Sequence, residues 1–169
     1  MSIKKVKKII YLFYEGSSER NYFEALKGNK FILANYTLKF HPKAINDLNN
    51  AINKSKSMEE RFQHLKGIDS KKIFVYDSDL FKNNKQVSQE IIEHKNEIYF
   101  NEEAIEDFLK CHKARPIYKN QKPNLSRHII NEIKEMDINF ITESIKKPKQ
   151  FKDFKSVYDL LIELFEEKL

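Results

Sequence analysis

Two short acidic motifs carry the chemistry that this sequence offers: Glu15-Gly16-Ser17-Ser18-Glu19 and Asp77-Ser78-Asp79. Each directly follows an apolar run, Ile9 to Tyr14 in the first case and Ile73 to Tyr76 in the second. Carboxylates gathered at one point repel one another, and a hard divalent cation bound through oxygen is the usual means of offsetting that repulsion. Magnesium takes one or two protein carboxylates per ion and leaves positions for water and phosphate oxygens. Glu15, Asp77 and Asp79 are therefore the candidate site, and the chemistry they point to is metal-dependent and directed at phosphate. Gly16 permits either close backbone approach or a positive φ after the first run, and the helix start that follows offers free amides to an anion. Acids at strand ends are also common simply because loops are solvated, so the pattern gains its weight from occurring twice.

The elements that must position these groups follow from periodicity. Residues 8–14 and 72–76 read as central strands of a parallel sheet, because Ile9 to Tyr14 and Ile73 to Tyr76 are unbroken apolar runs. Residues 31–40 are a looser strand candidate ended by Pro42, and 97–100 a short one. Between them lie helical patterns at about 18–27, capped by Ser17 or Ser18, and at about 44–66, with a break expected near Ser55-Lys56-Ser57 and a stop at Gly67. Further helices are expected at about 85–95, 103–112, 125–136 and 154–167, whereas 113–124, with Pro116 and Pro123, reads as a loop. Strands alternating with helices predict an α/β fold: a mostly parallel sheet of about four strands flanked by helices, with extra C-terminal helices. Right-handed crossovers then bring the carboxyl ends of the parallel strands to one edge. Ligands bind in the crevice outside those ends.

At 169 residues the chain is read as a single domain, its core at about 8–113 and a helical extension at about 124–169. The 40% hydrophobic content is too high for disorder, and the 33% charged content too high for a protein buried in a membrane. No run approaches the roughly 18 apolar residues that span a bilayer. The basic start, Lys4 to Lys8, precedes too short an apolar stretch for a secretory signal, so a cytoplasmic protein with no membrane association is expected. Cys111 is the sole cysteine, which excludes intrachain disulfides and argues against a thiolate zinc site. Lys and Arg number 31 against 25 Asp and Glu, a formal +6 that favours encounter with polyanions. Lys119, Lys122, Lys147 and Lys149, in the 113–124 and 146–155 segments, are candidates to track a nucleic-acid backbone, or else belong to an ordinary solvated surface.

The stretch Glu15-Gly16-Ser17-Ser18-Glu19-Arg20-Asn21-Tyr22-Phe23 resembles the opening motif of RloB-like proteins, Glu-Gly-x-Ser/Thr-Glu-x-x-Tyr-Phe. The apolar strand ending in Asp77-Ser78-Asp79 is similar to that family's second motif. Ile105 to His112 resembles a third block, Phe-Glu-x-Trp-Leu-Leu-Leu-His, although Phe108 replaces the Trp and the preceding Asn-Pro-Cys is not kept. RloB-like proteins group with the Toprim domains of topoisomerases, primases and OLD-type nucleases. The resemblance implies a compact Toprim or Rossmann-like sheet, with Glu15 as metal ligand or general acid/base and Asp77 and Asp79 holding magnesium. Glu19, Glu106 and His112 are additional candidates. Glu106 is either a further ligand or a helix-surface carboxylate, and His112 either a catalytic or a packed histidine.

The function expected from these features is a magnesium- or manganese-dependent phosphodiesterase acting on nucleic acid, in a defence or restriction system. The competing expectation is a binding or regulatory subunit that keeps the fold and partners a larger defence protein. A nucleophile elbow, a P-loop and a dinucleotide glycine fingerprint are all missing from the sequence, which disfavours serine-hydrolase, motor and redox roles.

Overall fold

A computed structural model describes residues 6–61, 69–79, 89–101, 105–114, 117–119, 122–149 and 153–166. Its centre is a five-stranded, all-parallel sheet built from β1 (Lys8–Tyr14), β2 (Tyr36–Phe40), β3 (Ser70–Asp77), β4 (Ile98–Asn101) and β7 (Lys155–Ser156), in the order β2-β1-β3-β4-β7. Eight described helices accompany it: α1 (Ser17–Leu26), α2 (Lys30–Asn35), α3 (Leu48–Arg61), α4 (Gln89–Glu93), α5 (Glu106–Leu109), α6 (Arg127–Glu135), α7 (Ile138–Ser144) and α8 (Val157–Glu166).

Successive side chains of a strand point to opposite faces, and both faces of this sheet are buried. Ile10, Leu12, Ile73, Val75 and Tyr99 pack with Tyr22, Leu26, Ile129, Ile133 and Leu161, so α1, α6 and α8 cover one face. Phe13, Phe74, Tyr76, Ile98 and Phe100 pack with Leu48, Ala51, Ile52 and Ile91, so α3 and α4 cover the other. The α/β class with a parallel sheet and C-terminal helices is therefore as expected, with one strand more than about four. The extra strand comes from the C-terminal segment, where Lys155 and Ser156 pair with Tyr99 and Phe100. Ser156 then caps α8: Asp159 Oδ2 accepts from the Ser156 amide and hydroxyl, each at 2.9 Å.

Several local expectations change. Residues 30–35 are helical, and the strand begins only at Tyr36. Asn29 is the reason: its Oδ1 accepts the Phe31 amide at 2.9 Å as an N-cap, and its Nδ2 donates to Ile133 O at 2.8 Å and Met136 O at 2.9 Å. The break near Ser55 is absent, because α3 runs through it; Ser57 Oγ donates back to Lys54 O at 2.8 Å, a bond a helix tolerates. The expected stop at Gly67, and the start of the expected helix at 85–95, lie outside the described residues. Within the supposed 113–124 loop, β5 (Ile117–Lys119) and β6 (Lys122–Asn124) form an antiparallel pair. Helix α7, capped by Asp137 Oδ1 on the Phe140 amide at 3.0 Å, was not anticipated. Among the described residues, no helix is long and apolar enough to cross a membrane.

Candidate metal centre

Strand β1 lies between β2 and β3; the chain runs from β1 to β2 along one face of the sheet and from β2 to β3 along the other. Such a reversal of strand order opens a crevice outside the carboxyl ends of the two central strands. Tyr14, the last residue of β1, is in register with Val75 of β3, so Glu15 and Asp77 leave neighbouring strands almost side by side. The two are joined directly: Glu15 Oε2 accepts the Asp77 amide at 3.0 Å.

Glu15, Asp77 and Asp79 each offer an oxygen, and the three oxygens lie within 4.8 Å of one another. Ligands on opposite sides of a magnesium ion are about 4.2 Å apart, and about 5 Å apart across calcium. The spacing and the all-oxygen donor set thus fit one hard cation. Burial of this edge adds to the fit. Asp77 is pushed up to about 6, chiefly by desolvation and then by the charges of Glu15, Asp79 and Glu106, against the opposing pull of its bond from Asn101. Burial, together with the charge of Asp79, also raises Glu15. Among the described residues, Glu15, Glu19, Asp77 and Glu106 form no ion pair with lysine or arginine. A divalent ion is what would relieve so concentrated a negative charge.

No family model, no curated protein and no solved structure matches this chain. The site must therefore be judged on its own geometry.

Glu19 belongs to the same cluster but sits deeper, 5% exposed, in the first turn of α1. Its Oε2 accepts the Gly16 amide at 3.0 Å, which closes the start of the helix, and burial lifts its carboxyl to about 7. Gly16 itself has an ordinary extended backbone, φ −138°, so it is not needed for a positive φ. Its value is space, since a Cβ there would stand 3.0 Å from Glu19 Oε2. Gly16, rather than Ser17 or Ser18, is the N-cap. Glu106, in the first turn of α5, is half-buried and close enough for its charge to raise both Asp77 and Glu19, yet it lies outside the three-oxygen group.

Asn101 is the residue that sequence reasoning missed. It ends β4, pairs in register with Asp77, and donates from Nδ2 to Asp77 Oδ1 at 3.2 Å. Its backbone carbonyl accepts the Ser78 amide at 2.9 Å, which fixes the turn between the two aspartates. Its own Oδ1 is buried and has no hydrogen-bond partner among the described residues. The signal was available: like Glu15 and Asp77, Asn101 is the first polar residue after an apolar strand.

His112 is not part of the site. Its ring is buried, stacked on Phe140 at 5.0 Å and tilted against Tyr22 at 6.1 Å, with Nδ1 3.4 Å from Glu132 Oε2. Desolvation lowers its pKa, so it packs as a neutral ring. Apolar spacing placed it on the inward side of its helix, and the core took it. Lys147 and Lys149 line a cleft of about 440 Å³ with Phe100, Phe108, Pro148 and Val157. Lys119 and Lys122 are paired by backbone across the β5–β6 hairpin; their side chains lie outside the described residues.

Proposed function

We propose that this chain is a magnesium- or manganese-dependent phosphodiesterase that cleaves nucleic acid, working in a defence or restriction system alongside a larger partner protein. The observation that carries the reading is the meeting of Glu15, Asp77 and Asp79 oxygens within 4.8 Å at the crevice between β1 and β3. The likeness of the Glu15–Phe23 and Asp77–Asp79 segments to RloB-like motifs supports the nuclease and defence assignment. The +6 net charge suits a polyanionic substrate.

In this scheme Glu15, Asp77 and Asp79 hold the metal. A bound divalent ion supplies Lewis-acid polarisation of a phosphoryl oxygen and a water of lowered pKa. Asn101 keeps the Asp77 carboxylate turned toward the crevice through its 3.2 Å bond. The Asp77 amide does the same for Glu15, whose Oε1 remains available to a ligand or a proton. Glu19 ties the start of α1 against the site through Gly16.

Cleavage of DNA and RNA in magnesium and in manganese, by the wild type and by the Asp77→Ala and Glu15→Ala variants, tests this function. Loss of at least about a hundredfold in both variants is expected, as for removal of groups that act in the transition state. Equal cleavage by all three proteins would overturn the assignment. A wild type that neither cleaves nor gains thermal stability from metal would leave the binding-subunit role as the surviving one.

A further inference from the structure

The cleft beside the carboxylates has a use that the metal site leaves unassigned. It opens beyond the ends of β4 and β7, where Phe100 and Ser156 lie, and is walled by α5 on one side and by residues 145–149 on the other. The strands are parallel, so this opening lies on the same sheet edge as Glu15 and Asp77. Phe100 immediately precedes Asn101, which is bonded to Asp77. Two strand spacings, about 10 Å, separate β3 from β7. The cleft and the carboxylates therefore share one edge of the sheet.

Its lining is divided by chemistry. Phe100 and Val157, both buried, line it together with the part-exposed Phe108 and Pro148. The rim holds Lys146, Lys147 and Lys149, all exposed, and none of them makes an ion pair among the described residues. The acid on the wall, Asp107, is already paired with Lys110. An apolar slot with a cationic rim suits a ligand that is planar, aromatic and anionic. A nucleobase with its phosphate is such a ligand. A base within a duplex is not, because both its faces are covered by its neighbours.

Resting on the phosphodiesterase reading, we propose that the cleft takes one unpaired nucleobase of a single-stranded nucleic acid, with the flanking phosphates on Lys146, Lys147 and Lys149. The adjacent phosphodiester then lies over Glu15, Asp77 and Asp79. The lysines draw in a polyanion that five carboxylates would otherwise repel. The substrate class is thus single-stranded, and selectivity against duplex is built into the slot.

The chain contains no tryptophan, so the Phe108→Trp variant places one fluorophore in the cleft. Its emission is followed with short oligothymidine, with oligouridine and with a duplex, all in chelator so that no cleavage occurs. Saturable quenching by one or both single strands, and none by the duplex, is expected; which homopolymer binds tighter identifies DNA or RNA. With the native cleft, anisotropy of the labelled strand should show the Lys147→Ala/Lys149→Ala double variant binding about tenfold more weakly, its salt slope flatter by about 1.4. Absence of quenching, equal quenching by duplex, or a lysine pair without effect would overturn the proposal. The two readings fail separately. Quenching without metal-dependent cleavage keeps the slot and removes the phosphodiesterase; Asp77-dependent cleavage without quenching does the reverse.

Discussion

Asn101 and Glu19 illustrate two ways in which single residues shape this crevice. Asn101 donates to Asp77 and so opposes the burial and neighbouring charges that together leave this carboxyl at about 6. Residues that orient a metal ligand typically contribute ten- to a hundredfold to affinity. The Asn101→Ala variant should therefore bind manganese about tenfold more weakly by calorimetry while its far-ultraviolet circular dichroism is unchanged; unaltered affinity would remove Asn101 from the site. Glu19, at about 7, has a folded pKa above its unfolded value near 4.5. A carboxyl of this kind supports the fold below about pH 4.5, and the support is lost as pH rises through about 7. The Glu19→Gln variant keeps an acceptor for the Gly16 amide without a charge. It should be more stable than wild type at pH 8 by about 2 kcal/mol and no more stable at pH 4. Denaturant titrations at the two pH values check this, and a gain of equal size at both would contradict it.

Among the elements, the tie between α1, α2 and α6 holds the wall behind the site. Asn29 is fully buried, and its two amide hydrogens satisfy the Ile133 and Met136 carbonyls at the end of α6, while its oxygen caps α2. Truncation leaves two carbonyls and an amide without partners, each costing about 1–3 kcal/mol when buried. The Asn29→Ala variant should lose about 3 kcal/mol and about 10 °C in Tm. A loss within the range of an exposed helix-cap substitution, about 1 kcal/mol, would show that the neighbouring chain had repacked to satisfy those groups. The short pairing of β7 with β4 plays a comparable part at the other end of the edge, since it sets Ser156 beside Phe100 in the cleft that residues 145–149 also line.

For the whole molecule, the consequence of gathering Glu15, Glu19, Asp77, Asp79 and Glu106 at one edge is that their charges repel one another in the folded chain. A cation that binds this folded arrangement and not the unfolded chain stabilises by mass action. With manganese at a hundred times its dissociation constant, the gain is about 2.7 kcal/mol, or about 8 °C in Tm. Chelator should reverse the shift, and the Asp77→Ala variant should not show it. An equal shift in that variant would locate the metal elsewhere. The opposite charges of the two halves of the edge, carboxylates beside β1 and β3 and lysines beside β7, give this edge of the sheet an electrical polarity.

Much of this arrangement could be read directly from the residues. The apolar runs at 9–14 and 73–76, their abrupt acidic ends, and the alternation with helical patterns belong to the local chain, because burial on both sheet faces demands unbroken apolar strands. Those features were enough to predict the α/β class and the meeting of Glu15, Asp77 and Asp79 at one sheet edge. The helix at 30–35 escaped because its cap is stabilised from α6, about a hundred residues away. His112 could be placed on an apolar helix face, but only the packing of Phe140 and Tyr22 decided that it is core rather than site. Likewise, nothing local says that two residues at 155–156 join the sheet, or that lysines 147 and 149 line a cleft with Phe100. Strand ends are local properties, whereas strand order is a contest among long-range packings. The residue types at the crevice were therefore written in the chain, and tertiary structure alone decided which of them would meet.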